Sequence, residues 1–262
     1  LAPLTSLAPG SLNPFGAEPR PLLEIVEEWA VPVVGSMVAA ELVARMLASR
    51  SATIARNATV VGGIAYLFVG LMPVALGLVG ASLLPGLAEP EQILPALAER
   101  YLPTALYVIF AGGLVSAILS TVDSALLMAS GLVSHNVIVQ LRPGLTERNK
   151  VRIARAGVGV FGVVAYLMAI RAERVYELVE EASSFGSAGI VTVVVFGLFT
   201  RIGGTGSAIA ALVVGVSTWI VGAYVAAFSY PYVTSLAAAV TAYLVAAVAG
   251  SKATRTLEPL GA

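Results

Sequence analysis

Seven runs of about 20 predominantly apolar residues follow one another along this chain, and no soluble core needs so many: Trp29 to Leu47, Val60 to Gly80, Thr104 to Val133, Val151 to Ile170, Ser184 to Thr200, Ser207 to Phe228 and Val233 to Gly250. Their connections are short except for Ala81 to Pro103, where Glu91 to Tyr101 has the spacing of an amphipathic helix lying on a membrane surface. Composition agrees, with 58% hydrophobic and 11% charged residues against the roughly 25% charged of soluble domains. A backbone crossing lipid must satisfy its own hydrogen bonds, and no barrel-like alternation is present. The expectation is an all-α membrane protein of about seven transmembrane helices.

Charge placement tests the spans independently of hydropathy. In alternate connections, Arg45, Arg50 and Arg56, then Arg142, Arg148, Lys150, Arg152 and Arg155, then Arg201, then Lys252 and Arg255 fall on one side, and only Arg20, Arg100, Arg171 and Arg174 on the other. The positive-inside rule makes the first side cytoplasmic, with the N-terminus outside and the C-terminus inside an inner (plasma) membrane. Most carboxylates, including Glu18, Glu24, Glu27, Glu28 and Glu173, then lie outside. The lack of cysteine removes disulfides and thiolate metal sites, and His135 has no ligand-type neighbours. No signal peptide or initiator methionine opens the chain, so the sequence reads as the later part of a longer protein.

Two carboxylates, Glu41 and Asp123, fall within spans, where a charge costs roughly 2.5 to 3.5 kcal/mol on insertion scales. Glu41 has a local explanation in an ion pair with Arg45 one turn later. Asp123 shares half of its helix circumference with Ser116, Ser120, Thr121, Ser124, Ser130 and Ser134, while Ile118, Leu119, Val122, Ala125, Leu126 and Val133 fill the opposite half. Ala117, Ser120, Thr121 and Ser124 stand at i, i+3, i+4 and i+7, so a carbonyl and several hydroxyls converge if the helix opens slightly there. Neutral oxygens beside one carboxylate suit a small hard cation held weakly. Such hydroxyls also bond back to the i−4 carbonyl or join helices; the added Asp123 and the one-sided clustering favour the cation.

The stretch "GLVSAILSTVDSALLMASGLVSHNVI" resembles the signature helix of the sodium/solute symporter family, which includes sodium/glucose and sodium/proline cotransporters. "VGSMVAAELVARMLASRSATIAR" and "SSFGSAGIVTVVVFGLFTRIGGTGSAIAALVVG" resemble other parts of the family's C-terminal half. The resemblance implies a LeuT-like inverted-repeat fold with a midplane site. It makes residues 1–28 an extracytoplasmic loop, 29–200 the second repeat (core helices 6 to 10), and 201–262 two accessory helices and a cytoplasmic tail. The first repeat would come from the same native polypeptide or a second chain.

Carried over by position, the resemblance implies a main sodium site from the Ala117 carbonyl and the Ser120 and Thr121 hydroxyls. It implies a second cation site from Ser120, Asp123 and Ser124, with Asp123 where many members carry a hydroxyl. Gly35 and Ser36, after Pro32, mark an unwound substrate segment or a simple proline kink. Ser184 and Phe185, with Ser183 and Ser187, match a region that contacts substrate or gates the outer side. Glu177, Glu180 and Glu181 read as a solvated outer face that weakly attracts cations. Ala39 sits where a quaternary-ammonium carrier would need an aromatic, so the solute stays a small organic molecule. Sodium is the implied coupling ion, with no organic cofactor, no other metal and no nucleic acid. The function implied is sodium-coupled solute import; the alternative is a membrane sensor or a non-transporting module of the same fold. No His, Cys or metal-ligand constellation accompanies the carboxylates, which argues against an enzyme.

Overall fold

The computed structural model describes residues 13, 19–142, 144–171 and 174–256, of which the side chains of 251–256 are set aside. Glu18, Glu173, most of the expected N-terminal loop and the side chains of Lys252 and Arg255 lie outside the described residues. Everything described is helix or short connection. The helices are α1 Leu22–Met37, α2 Ala40–Leu47, α3 Ala52–Leu83, α4 Ile93–Tyr101, α5 Thr104–Val133, α6 Glu147–Ala169, α7 Val175–Ser184, α8 Ser187–Phe199, α9 Thr205–Ile220 and α10 Pro231–Thr256. Among the described residues, six spans are long and apolar enough to cross a membrane, α1 and α2 forming one of them; α7 and α8, bent by 41°, supply a seventh if taken together. This is a multi-pass integral membrane protein.

Several boundaries move from their expected places. α1 begins at Leu22 rather than Trp29, because Glu24 and Glu28 favour a helix start and Arg20 clamps both, at 3.6 and 2.9 Å. Its break falls at Val38 and Ala39, beyond Pro32, Gly35 and Ser36. The Ser36 hydroxyl donates to the Pro32 carbonyl at 2.5 Å, and the helix runs unbroken past it to Met37. The span expected over Ser184 to Thr200 is two helices. Gly186, at φ 77°, takes a left-handed turn between them that a side chain would resist. Glu41 and Arg45 share α2, and no ion pair between them is among those of the described residues.

The described residues form two compact units, one within 43–172 and the other within 18–42 and 173–262. In the first, the short α4 lays Ile93 and Leu97 onto Gly80 of α3, where an added Cβ would come within 2.7 and 2.8 Å of them. α5 meets α6 through Ser130, which is buried and donates to the Ala154 carbonyl at 2.5 Å. Gly157 leaves room for that hydroxyl, which a Cβ there would meet. α5 then widens into a π turn at Ser134–Ile138 before ending at Leu141.

In the second unit, Val31 of α1, Ala188 of α8, Trp219 of α9 and Tyr232 of α10 form one buried cluster; Ala211, Ala239 and Tyr243 form another against Val193 and Phe196. α8, α9 and α10 approach through small residues. A Cβ on Gly189 would stand 2.9 Å from the Leu212 Cα, and one on Gly215 3.2 Å from the Ala239 Cβ. Lipid offers apolar side chains no reason to leave it, so close backbone packing must hold these helices together. Elsewhere long apolar residues face outward, among them Leu67, Phe68, Leu198 and Phe199.

Gly189→Ala should therefore destabilise the chain by about 1–3 kcal/mol through overpacking. Gly197→Ala, on the same helix with no neighbour within 4 Å, should be neutral or slightly stabilising. Thermal unfolding in detergent compares the two; equal shifts would show that the α8–α9 approach is not tight.

Candidate functional site

The described residues hold two polar groupings, one in each unit. In the first unit, α5 carries the oxygens singled out in the sequence. The Thr121 hydroxyl donates to the Ala117 carbonyl at 3.1 Å, and the Ser124 hydroxyl to the Ser120 carbonyl at 3.0 Å. Both are i to i−4 bonds within a regular helix, so the opening expected near these residues is not formed. The widening comes instead at Ser134–Ile138. The physical reason is that a helix carbonyl has two lone pairs, and the second accepts a hydroxyl without breaking the ladder.

This geometry pairs Ala117 with Thr121 and Ser120 with Ser124, and leaves Ser120, Thr121 and Asp123 exposed. Asp123 makes no hydrogen bond or ion pair among the described residues. Each pair still offers lone pairs, since a donating hydroxyl keeps its acceptor capacity. Two oxygens about 3 Å apart can both reach a cation whose ligand distances are about 2.3–2.6 Å.

The second grouping lies where α1, α7, α9 and the start of α10 meet, around a recess of about 330 Å³. α1 contributes Glu27 and Val31; α7 contributes Glu177, Glu180, Glu181 and Ser184. Trp219 comes from α9, Ala223 and Tyr224 from the π turn Val221–Val225 that follows it, and Pro231 opens α10. The three glutamates read as a solvated face belong to α7 itself and line this recess. Ser184 is buried and spends its hydroxyl on the Glu180 carbonyl at 2.7 Å. Phe185 is exposed, its ring set edge-on to Trp219 at 5.7 Å and 84°. Of the other substrate candidates, Gly35 is where α1 packs on α7, since its Cβ would come 2.9 Å from Ser183. Ser36 bonds within α1, and Ala39 lies exposed at the break.

Glu27 was not singled out by its sequence surroundings. Its two carboxylate oxygens accept the backbone N–H of Tyr232 at 2.6 Å and of Val233 at 2.7 Å. These amides open α10 and have no partner within it, so a carboxylate from α1 caps that helix. The Tyr232 ring is fully buried, and its hydroxyl lies 3.0 Å from that of Ser187, which bonds the Ser184 carbonyl. The only local signal was negative. α10 begins at a proline, with nothing acidic in its first turn.

Comparison with known proteins adds an independent finding. The model of the sodium:solute symporter family matches residues 13–215. The high affinity choline transporter 1 of Homo sapiens is 27% identical over 164 residues, covering 58% of this chain and 27% of that protein. The same transporter of Rattus norvegicus is 27% identical over 190 residues, 61% and 33%. A sodium/pantothenate symporter of Haemophilus influenzae is 23% identical over 150 residues, 56% and 31%. The chain thus spans about a third or less of the length of these curated relatives.

Removing the carboxylate in Glu27→Ala leaves two helix-start amides without their cap and should cost about 1–3 kcal/mol. Hydrogen exchange at the Tyr232 and Val233 amides should accelerate selectively, with Glu27→Gln between wild type and Ala. Unchanged exchange at both amides would refute the cap.

Proposed function

Because the chain belongs to the sodium:solute symporter family, we propose that it is the second-repeat half of a secondary transporter that imports a small organic solute with sodium. The observation that carries the reading is the exposed oxygen face of α5. Ala117, Ser120 and Thr121 supply neutral oxygens for the main sodium site, and Ser120, Asp123 and Ser124 supply a second, charge-bearing one. Residues 29–200 correspond to core helices 6 to 10 and 201–262 to two accessory helices with the tail, after an extracytoplasmic segment at 1–28. The arginine and lysine distribution supports an N-terminus outside and a C-terminus in the cytoplasm. The choline and pantothenate transporters among its relatives support an organic solute of low mass.

Coupling follows from differential stabilisation. Sodium on the α5 oxygens favours the arrangement open to the outside, solute closes it, and the inward sodium gradient drives release. A first repeat, from the same native polypeptide or a second chain, would complete the sodium shell and the solute pocket. Uptake by the 262-residue chain alone, reconstituted in vesicles, would overturn that part of the reading.

Radiolabelled sodium binding to the full native transporter tests the site. Ser120→Ala and Thr121→Ala should each weaken binding about tenfold or more, the order expected when one or two hard-cation ligands are lost. Asp123→Asn should lower the number of ions bound and leave the first. Wild-type protein that binds no sodium would defeat sodium coupling.

A further inference from the structure

The first turns of α6 carry arginines on the side away from α5, and an open apolar strip continues from them along the same side. Arg148, Arg152 and Arg155 stand at i, i+4 and i+7. That spacing keeps them within about 60° of one another around the helix and along about 10 Å of its axis. We propose that this side of α6 binds an anionic phospholipid, the arginines holding its phosphate and the strip beyond them one acyl chain.

The positive charge has no partner in the protein. All three arginines are exposed and make no ion pair or side-chain hydrogen bond among the described residues. Glu147, the one carboxylate of α6, is spent on Lys150 at 2.7 Å, and Lys150 lies about half a turn round from the arginines. α6 gives Ala154 and Gly157 to Ser130 of α5, and both fall on the half of the helix that the arginines leave. Guanidinium groups one turn apart can share the oxygens of one phosphate, which their forked N–H donors fit. Three such charges favour a headgroup of net negative charge over a zwitterionic one, whose own ammonium cancels the attraction.

The strip beyond the arginines supplies room for the tail. One turn past Arg155, Gly159 is exposed, and a Cβ there would have nothing within 4 Å. Val163 and Tyr166 follow on the same side, 59% and 66% exposed. From Arg155 to Tyr166 the helix rises about 16 Å, close to half of a hydrocarbon core of about 30 Å. Headgroup charge and acyl-depth surface therefore stand in one column, as deep as one leaflet. A free phosphate ester would use only the upper part. The column shares no residue with the α5 oxygens, so this inference and the sodium reading can fail separately.

Native mass spectrometry of the detergent-purified full-length protein, titrated with phosphatidylglycerol, tests the site. One lipid should be retained in a saturable manner. Arg152→Gln and Arg155→Gln should each weaken that binding about fivefold, the order of one basic residue at an anionic headgroup. Lys150→Gln removes the same charge from the other side of α6 and should change it by less than about twofold. Phosphatidylcholine, with the same phosphate and chains, should bind at least about tenfold more weakly. Glycerol phosphate, a headgroup without chains, should not displace the lipid. Unchanged thermal unfolding in detergent shows that the variants are folded. Equal binding of the two lipids, displacement by glycerol phosphate, or arginine variants indistinguishable from wild type or from Lys150→Gln would each overturn the proposal.

Discussion

A peptide N–H inside a bilayer has no water to turn to, and the described helices and the breaks between them answer to that constraint. Where the helices run straight the ladder satisfies it. At Val38 and Ala39 the chain leaves α1 with its amides still bonded to Val34 and Ser36. In the π turn after α9, Ala226 bonds Val221 and Phe228 bonds Gly222. At the start of α10 the ladder has nothing to offer, and Glu27 reaches across from α1 to accept two amides. That contact joins α1 to α10, and Tyr232 then carries the link through Ser187 to the break between α7 and α8.

Small residues meet a second demand of the same solvent. With lipid tails as apolar as leucine, a helix pair gains by bringing backbones close, and Gly189, Gly215 and Ala239 do this among α8, α9 and α10. Gly157 does it for α5 and α6 around the Ser130 hydroxyl. Large apolar residues such as Val60, Leu67 and Phe68 of α3 stand exposed. The core of the second unit sets alanine, glycine and serine beside Val31 and the aromatic residues Trp219, Tyr232 and Tyr243.

The polar groups that remain are unevenly committed. On α5 the hydroxyls of Thr121 and Ser124 bond to their own helix, which holds their oxygens beside the Ala117 and Ser120 carbonyls without using up their lone pairs. In the recess, Glu181 and Glu27 hold structure together, while Arg148, Arg152 and Arg155 of α6 are bonded to nothing among the described residues. Charge that is bonded positions an element, and charge that is left over is available to a ligand.

The helices and their class were legible in the sequence because apolar length and the period of the α-helix are local properties. Two helix caps are likewise local: Ser51 accepts the Ile54 amide and Thr146 the Asn149 amide, each from three residues away. The polar face of α5 could be read from spacing, and the family match agrees with the resemblance its signature suggested. What the spacing could not say is whether α5 opens, since that depends on whether a second lone pair suffices for each hydroxyl. Nor could it place Glu27 on an amide 205 residues away, or bring Trp219 and Tyr224 against the glutamates of α7. Those contacts arise from the break at Gly186, the π turn after Ile220 and the close approach of glycine-bearing helices. The sequence alone determined which segments are helices in lipid; the tertiary structure decided which polar groups meet, because contacts distant along the chain carry no period.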